Sequence, residues 1–89
     1  MKNFTVVFTE NDIDVVACYL FDTEEEAIWF LKDRIKTFFW NDVDKNGIAS
    51  SYDFSEDGSY GVLKNFFPDH TLITEARVFY EKHSEKGDN

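Results

Sequence analysis

The chain has 89 residues, and its 18 Asp and Glu residues against 9 Lys and Arg give it a net charge of −9. This length allows one domain, and the negative charge disfavours direct binding to nucleic acid, whose phosphates are held by cationic side chains. The single cysteine excludes an internal disulfide, and no apolar run approaches the roughly 20 residues of a membrane span. We therefore expect a soluble, cytoplasmic protein with no membrane contact and no direct contact with nucleic acid.

The first two predicted elements are strands joined as a hairpin. Residues 4–9 alternate between apolar and mostly threonine side chains, which is the period of a half-buried strand. Residues 13–21 are apolar apart from Asp14, which predicts a strand covered on both faces and therefore a central place in the sheet. Cys18 in this strand is accordingly predicted to be a buried small residue. The polar residues 10–12 form the turn between the two strands.

A long helix is predicted to follow, ending near Trp40. Thr23 and Glu26 have the spacing of a capping box, and the acidic residues after Thr23 favour the positive end of the helix dipole. Trp29 and Trp40 lie at one flank of the apolar stripe, and Phe30 points nearly the other way. The stripe itself, which we expect to face the core, consists of Ala27, Ile28, Leu31, Ile35, Phe38 and Phe39.

The C-terminal half is predicted to return to strands. Residues 48–55 and 71–81 read as strands, whereas residues 59–67 are ambiguous between helix and strand. Helical spacing of the large apolar residues and the proline that follows favour a helix for 59–67.

Together, these predicted elements indicate an α+β fold in the order β-β-α-β-(α or β)-β. An antiparallel sheet, made of the N-terminal hairpin and the C-terminal strands, would be packed by the one long helix. A single small domain at 1–81 would end in a flexible polar tail at 82–89.

The segment from Asp42 to Asp53 has the spacing of a calcium loop and resembles an EF-hand over twelve residues. The resemblance implies a bend at Gly47 and oxygen ligands from Asp42, Asp44, Asn46, the Ile48 carbonyl, a water held by Ser50, and Asp53. Ca²⁺ is the only cofactor that the sequence suggests. The alternative is a helix C-terminus followed by a polar turn, with Asn46 or Gly47 in the left-handed conformation.

Residues 10–26 carry seven carboxylates and neither Lys nor Arg. Capping and a solvated hairpin end explain part of this run, and a negative docking surface is the functional interpretation. A strand between the hairpin turn and the helix start would hold the charges at two ends about 25 Å apart. The candidate partner-binding residues are Glu10, Asp12, Asp14, Asp22, Glu24, Glu25 and Glu26, with Trp29 and Trp40 as contact aromatics.

Candidates for catalysis are few, and we expect no enzyme. His70 and His83 lie in a polar turn and in the tail, where solvated surface roles are expected, and the four glycines form no phosphate-binding loop. In size and acidity the chain is similar to small phage or mobile-element antagonists, including anti-restriction and anti-CRISPR proteins that mimic nucleic acid. This similarity implies an inhibitor that docks on a basic, nucleic-acid-binding protein. The alternatives are a calcium-binding module and an acidic homodimer of structural role.

Overall fold

The computed structural model describes residues 2–11 and 14–80, so the predicted tail at 82–89 lies outside the described residues. The described residues confirm the predicted α+β class, and residues 59–67 contribute a strand. The elements in chain order are β1 (Phe4–Glu10), β2 (Asp14–Phe21), α1 (Glu24–Trp40), a π-helical segment (Asn41–Lys45), β3 (Ala49–Phe54), β4 (Tyr60–Phe66) and β5 (Thr71–Tyr80).

The five strands form one antiparallel sheet in the order β2-β1-β5-β4-β3. The last strand, β5, takes the central place and pairs with β1 from Phe4 opposite Tyr80 to Glu10 opposite Thr74. The N-terminal hairpin (β1 and β2) and the C-terminal three-stranded meander (β3, β4 and β5) are therefore joined through β1 and β5, and β2 and β3 are the edges of the sheet.

The prediction that residues 13–21 form a central strand is wrong, because β2 is an edge strand. Val15, Val16 and Leu20 are 61%, 52% and 55% exposed, and Cys18, predicted to be buried, is exposed as well. The chain passes directly from β2 into α1, while β5 occupies the far side of β1. No later element of the described chain is left to cover the free edge of β2.

Helix α1 packs across one face of the sheet. The capping box at its start is formed as predicted: the Glu26 amide donates to Thr23 Oγ1 at 3.2 Å, and the Thr23 amide donates to Glu26 Oε1 at 3.3 Å. Of the predicted stripe, Phe38 is 37% exposed and the other members are buried or half-buried. The buried core combines three helix residues with four sheet residues: Ala27, Leu31, Ile35, Val6, Phe8, Leu63 and Ala76.

Residues 59–67, favoured above as a helix, form strand β4. The positions that turn toward α1 are Gly61, Leu63 and Asn65, so burial follows the period of a strand. This alternation is hidden in the sequence because the inward side chains are a glycine, a leucine and an amide. A Cβ at Gly61 would lie 2.9 Å from Leu31 Cδ2, so the missing side chain lets the helix approach the sheet.

The opposite face of the sheet, called the outer face below, carries no helix. Tyr60, Glu75 and Arg77 interact across β4 and β5 there: the Tyr60 hydroxyl donates to Glu75 Oε2, and the Arg77 guanidinium lies 5.0 Å from the Tyr60 ring centroid. Toward the β2 side the outer face is more apolar, with Leu20 and Phe79 about half exposed on either side of Thr5.

Candidate functional site at the free edge of strand β2

The carboxylates predicted as a docking surface lie at the two ends of β2. Glu10 and Asp14 are opposite each other where β1 and β2 meet their turn, and Asp12 lies outside the described residues. The other four follow the opposite end of the strand, at Asp22 and at the start of α1. An eight-residue strand separates the two groups by about 25 Å. These groups, called the acidic ends below, are Glu10, Asp14, Asp22, Glu24, Glu25 and Glu26.

The acidic ends are not neutralised by cations of the described chain. The ion pairs found in residues 2–11 and 14–80 are Asp69 with His70 and Glu75 with Arg77, and neither includes an acidic-end carboxylate. The Arg34 guanidinium lies on the helix side of β2, stacked 4.8 Å from the Phe30 ring centroid. The negative potential of the acidic ends is thus available to a basic partner.

Between the acidic ends, the edge of β2 is apolar. Its exposed side chains include Val15, Val16 and Leu20, with Tyr19 at 38% exposure. The pairing with β1 shifts register between Phe8 and Thr9, which places a bulge near Val16 and leaves 17–21 regular. Natural edge strands are usually protected by charge, proline or a covering element, so an apolar, uncovered edge leaves backbone groups open to pairing with another chain.

A groove lies beside the C-terminal end of β2, where the strand enters α1. It has a volume of about 550 Å³ and is lined by Phe21, Trp29 and Phe30 together with Glu25 and Glu26. Trp29 is 68% exposed. Aromatic rings beside two carboxylates are suited to a cationic side chain, which gains both cation–π and ionic contacts.

The structure separates the two tryptophans that the sequence grouped together. Trp40, 53% exposed, packs edge-on against Phe39, whose ring in turn contacts Tyr52 of β3. Eleven residues of helix put Trp29 and Trp40 about 16 Å apart along the axis. Only Trp29 lies at the β2 groove.

The sequence predicted that Phe30 points away from the core-facing stripe of the helix. It packs instead on β2, with its ring centroid 4.7 Å from that of Tyr19 and 5.0 Å from that of Phe21. The ring thus supports the aromatic wall of the groove. The sequence did not predict this contact. The periodicity of the helix does not locate β2, and β2 was expected to be a central strand.

A second cavity, of about 460 Å³, lies beneath the C-terminal part of α1 and was not anticipated from the sequence. Its apolar walls include Phe8 and Phe38, and Glu10 and Arg34 bring opposite charges to it. It adjoins the Asp14 end of β2 and therefore extends the concave surface along this edge.

The residues of the predicted calcium loop do not form a single coordination shell. Asp42 lies in the π-helical segment and its carboxylate accepts a hydrogen bond from Asn65 Nδ2 at 2.8 Å. Asp53 lies in β3 with its side chain on the outer face, where Oδ1 accepts from the Phe54 amide at 2.9 Å. Within the described residues no group of three or more acidic, His or Cys side chains is arranged to hold a metal ion. Calcium binding therefore remains a prediction from spacing, with no converging ligands to support it.

The polar-turn alternative describes this segment better. Gly47 adopts the left-handed conformation with φ of 64°, and the Ile48 amide donates to the Asp42 carbonyl at 2.9 Å. Asn65, which is 4% exposed, also donates to Ser50 Oγ at 2.8 Å, so one buried amide joins β4, β3 and the π-helical segment. This role of Asn65 was not predictable from the sequence, because the conformation of 59–67 was ambiguous.

His70 is exposed in the turn before β5, as expected. Its ring stacks on Phe67 with centroids 4.7 Å apart, and its Nδ1 lies 2.6 Å from Asp69 Oδ1. This contact lowers the pKa of Asp69. His83 lies outside the described residues.

No protein family model, no curated protein and no solved structure matches the chain. No helix among the described residues has both the length and the apolar character needed to cross a membrane. The interpretation of function therefore depends on the geometry of the chain itself.

Proposed function

We propose that the protein is a non-enzymatic interaction module that docks the β2 edge and its acidic ends on a basic protein. The observation that carries this proposal is an exposed, apolar edge strand with carboxylates at both ends that form no ion pair within residues 2–11 and 14–80. Charge on both sides steers a basic partner and fixes its orientation, and the apolar middle supplies contact area.

We further propose that the partner is a nucleic-acid-binding protein, whose phosphate-binding Arg and Lys side chains the carboxylates occupy. Such a protein would be inhibited, as by the anti-restriction and anti-CRISPR proteins that mimic nucleic acid. Along the axis of a duplex, the phosphates of one strand recur about every 3.4 Å, so the spacing of the acidic ends corresponds to an axial separation of roughly seven phosphates. The apolar stretch between them differs from a continuous phosphate row, and it favours a protein surface with two basic patches around an apolar centre.

An affinity capture tests the proposal, with the protein as bait against a neutral-end variant that carries Asp14→Asn, Asp22→Asn and Glu25→Gln. Glu26 is retained because it belongs to the capping box, and Glu24 is retained to favour the helix dipole. A control variant raises the net charge by the same three units at sites away from β2, through Asp44→Asn, Asp53→Asn and Glu56→Gln.

We expect the parent and the control variant to capture the same basic protein at low salt, and the neutral-end variant to lose it. High salt should also release it, because contacts between exposed charges are screened. Equal capture by all three proteins, unchanged by salt, would contradict docking through the acidic ends.

An acidic homodimer is a second candidate, favoured by the uncovered outer face with its half-exposed Leu20 and Phe79. Two copies would bury this face against each other. Sedimentation at two concentrations tests it: a dimer that Phe79→Lys dissociates supports this function, and a monomer at both concentrations contradicts it.

A further inference from the structure

We infer that the free edge of β2 binds an extended, basic segment of the partner by strand addition, with an Arg or Lys of that segment in the groove at Trp29. This inference rests on the proposed function and specifies how the partner is held. In strand addition, backbone hydrogen bonds to an exposed edge supply affinity, and pockets for alternate side chains supply specificity.

The edge geometry of β2 provides the backbone part of this contact. β2 pairs only with β1 among the described strands, so its other side presents unpaired backbone groups along the regular stretch at 17–21. The other edge of the sheet, β3, differs in the side chains that it exposes. These are Ala49, Ser51 and Asp53, which offer little apolar contact.

The groove provides the side-chain part of the contact. A strand added to β2 would reach the groove at its Phe21 end, where Trp29 and Phe30 form the aromatic lining and Glu25 and Glu26 carry the charge. Glu26 Oε1 already accepts bonds from Thr23, whereas Glu25 has none of the hydrogen bonds or ion pairs found among the described residues. A guanidinium stacked on the indole of Trp29 can therefore reach the Glu25 carboxylate.

Charge complementarity selects a basic segment over a second copy of this chain. If two β2 strands paired antiparallel about Cys18, Asp14 of each copy would lie opposite Asp22 of the other. Like charges directly opposite each other in a sheet are destabilising. A segment with basic residues near its ends replaces this repulsion with attraction at both acidic ends.

The test uses the full chain and a synthetic peptide of about eight residues, alternating Val and Thr with Arg at both ends. One comparison peptide has a proline at its centre, which keeps the charge but prevents strand pairing. Another has Glu in place of Arg. Calorimetric titration gives Kd, and the reaction of Cys18 with a thiol reagent reports on the edge itself, since Cys18 is exposed and is the only cysteine.

We expect the Arg peptide to bind and, when saturating, to slow the reaction of Cys18, because a strand paired with β2 places its own side chains beside this cysteine. The proline and Glu peptides should bind at least about tenfold more weakly. Trp29→Ala should raise Kd about tenfold, as loss of a central aromatic contact does. Trp40→Ala, a change of the same exposed residue type away from β2, should leave Kd unchanged.

Three outcomes overturn the inference, and they separate it from the proposed function. If the proline peptide binds as well and Cys18 is not protected, strand addition is wrong while docking by charge stands. If the Glu peptide binds as tightly and protects Cys18, strand addition stands, but the inferred preference for a basic segment and the charge-based function are both wrong. If no peptide binds, or if the chain sediments as a dimer with Cys18 already protected, β2 is not a docking edge for a basic segment.

Discussion

Substituting Gly61 by alanine tests how closely α1 packs on β4. A Cβ at this position would lie 2.9 Å from Leu31 Cδ2 and 3.0 Å from Phe54 Cδ1, both shorter than ordinary contacts. Overpacking of this kind costs about 1–3 kcal/mol, which exceeds the 0.4–1 kcal/mol gained from a less flexible unfolded chain. With the middle of each range the net loss is about 1.3 kcal/mol, which for a domain of this size corresponds to a decrease in Tm of roughly 5–10 °C.

The sign of the change distinguishes the two conformations considered for residues 59–67. In an exposed helix, Gly61→Ala would stabilise the protein by about 1 kcal/mol, whereas in β4 it destabilises. Thermal denaturation followed by circular dichroism measures the difference. In a Leu31→Ala background the alanine should cost less, because the side chain that it meets has been removed.

Gly47→Ala provides the control. Its φ of 64° disfavours alanine, but no atom lies within 4 Å of the added Cβ, so its cost should be independent of Leu31. A Tm raised by Gly61→Ala, or the same cost in the presence and absence of Leu31, would refute the close packing of α1 on β4.

Three further predictions concern the helix cap, a turn and the calcium loop. Thr23→Ala should lower the free energy of unfolding by about 1 kcal/mol in urea denaturation, because the capping box is lost; an unchanged midpoint would contradict this. The Ser59 amide and the Ser59 and Ser55 hydroxyls lower the pKa of Asp57 to about 2, so the stability this carboxylate adds is present above pH 4 and lost toward pH 2. The Tm advantage of the parent over Asp57→Asn should therefore shrink between pH 5 and pH 2, and a constant difference would contradict it. Millimolar Ca²⁺ should leave Tm unchanged, because Asp42 and Asp53 do not converge; a micromolar site would instead raise Tm by about 10 °C or more.

Local signals predicted most of the elements because each depends on neighbouring residues. The capping box at Thr23 and Glu26, the alternation at 4–9 and the β3 strand all follow from such signals, and all are present in the structure. The polar turn with Gly47 in the left-handed conformation was one of two alternatives for its segment.

Sheet position was not predictable in this way, because it depends on pairings between distant parts of the chain. An apolar run such as 13–21 indicates a strand but does not specify what covers it. Here β5 takes the place beside β1, so the same side chains that suggested a central strand become an exposed apolar edge. The carboxylates of the acidic ends could be identified in the sequence. The groove at Trp29 could not, because it forms where α1 contacts β2.

The most direct measurement compares the parent, the neutral-end variant and the control variant in their affinity for the Arg peptide at low and high salt. Three lost contacts between exposed charges correspond to about 0.6–3 kcal/mol, or roughly 3- to 150-fold in Kd. We predict this loss for the neutral-end variant alone, together with a weaker dependence of its Kd on salt. Equal affinity and equal salt dependence for all three proteins would show that the carboxylates beside β2 do not form a docking surface.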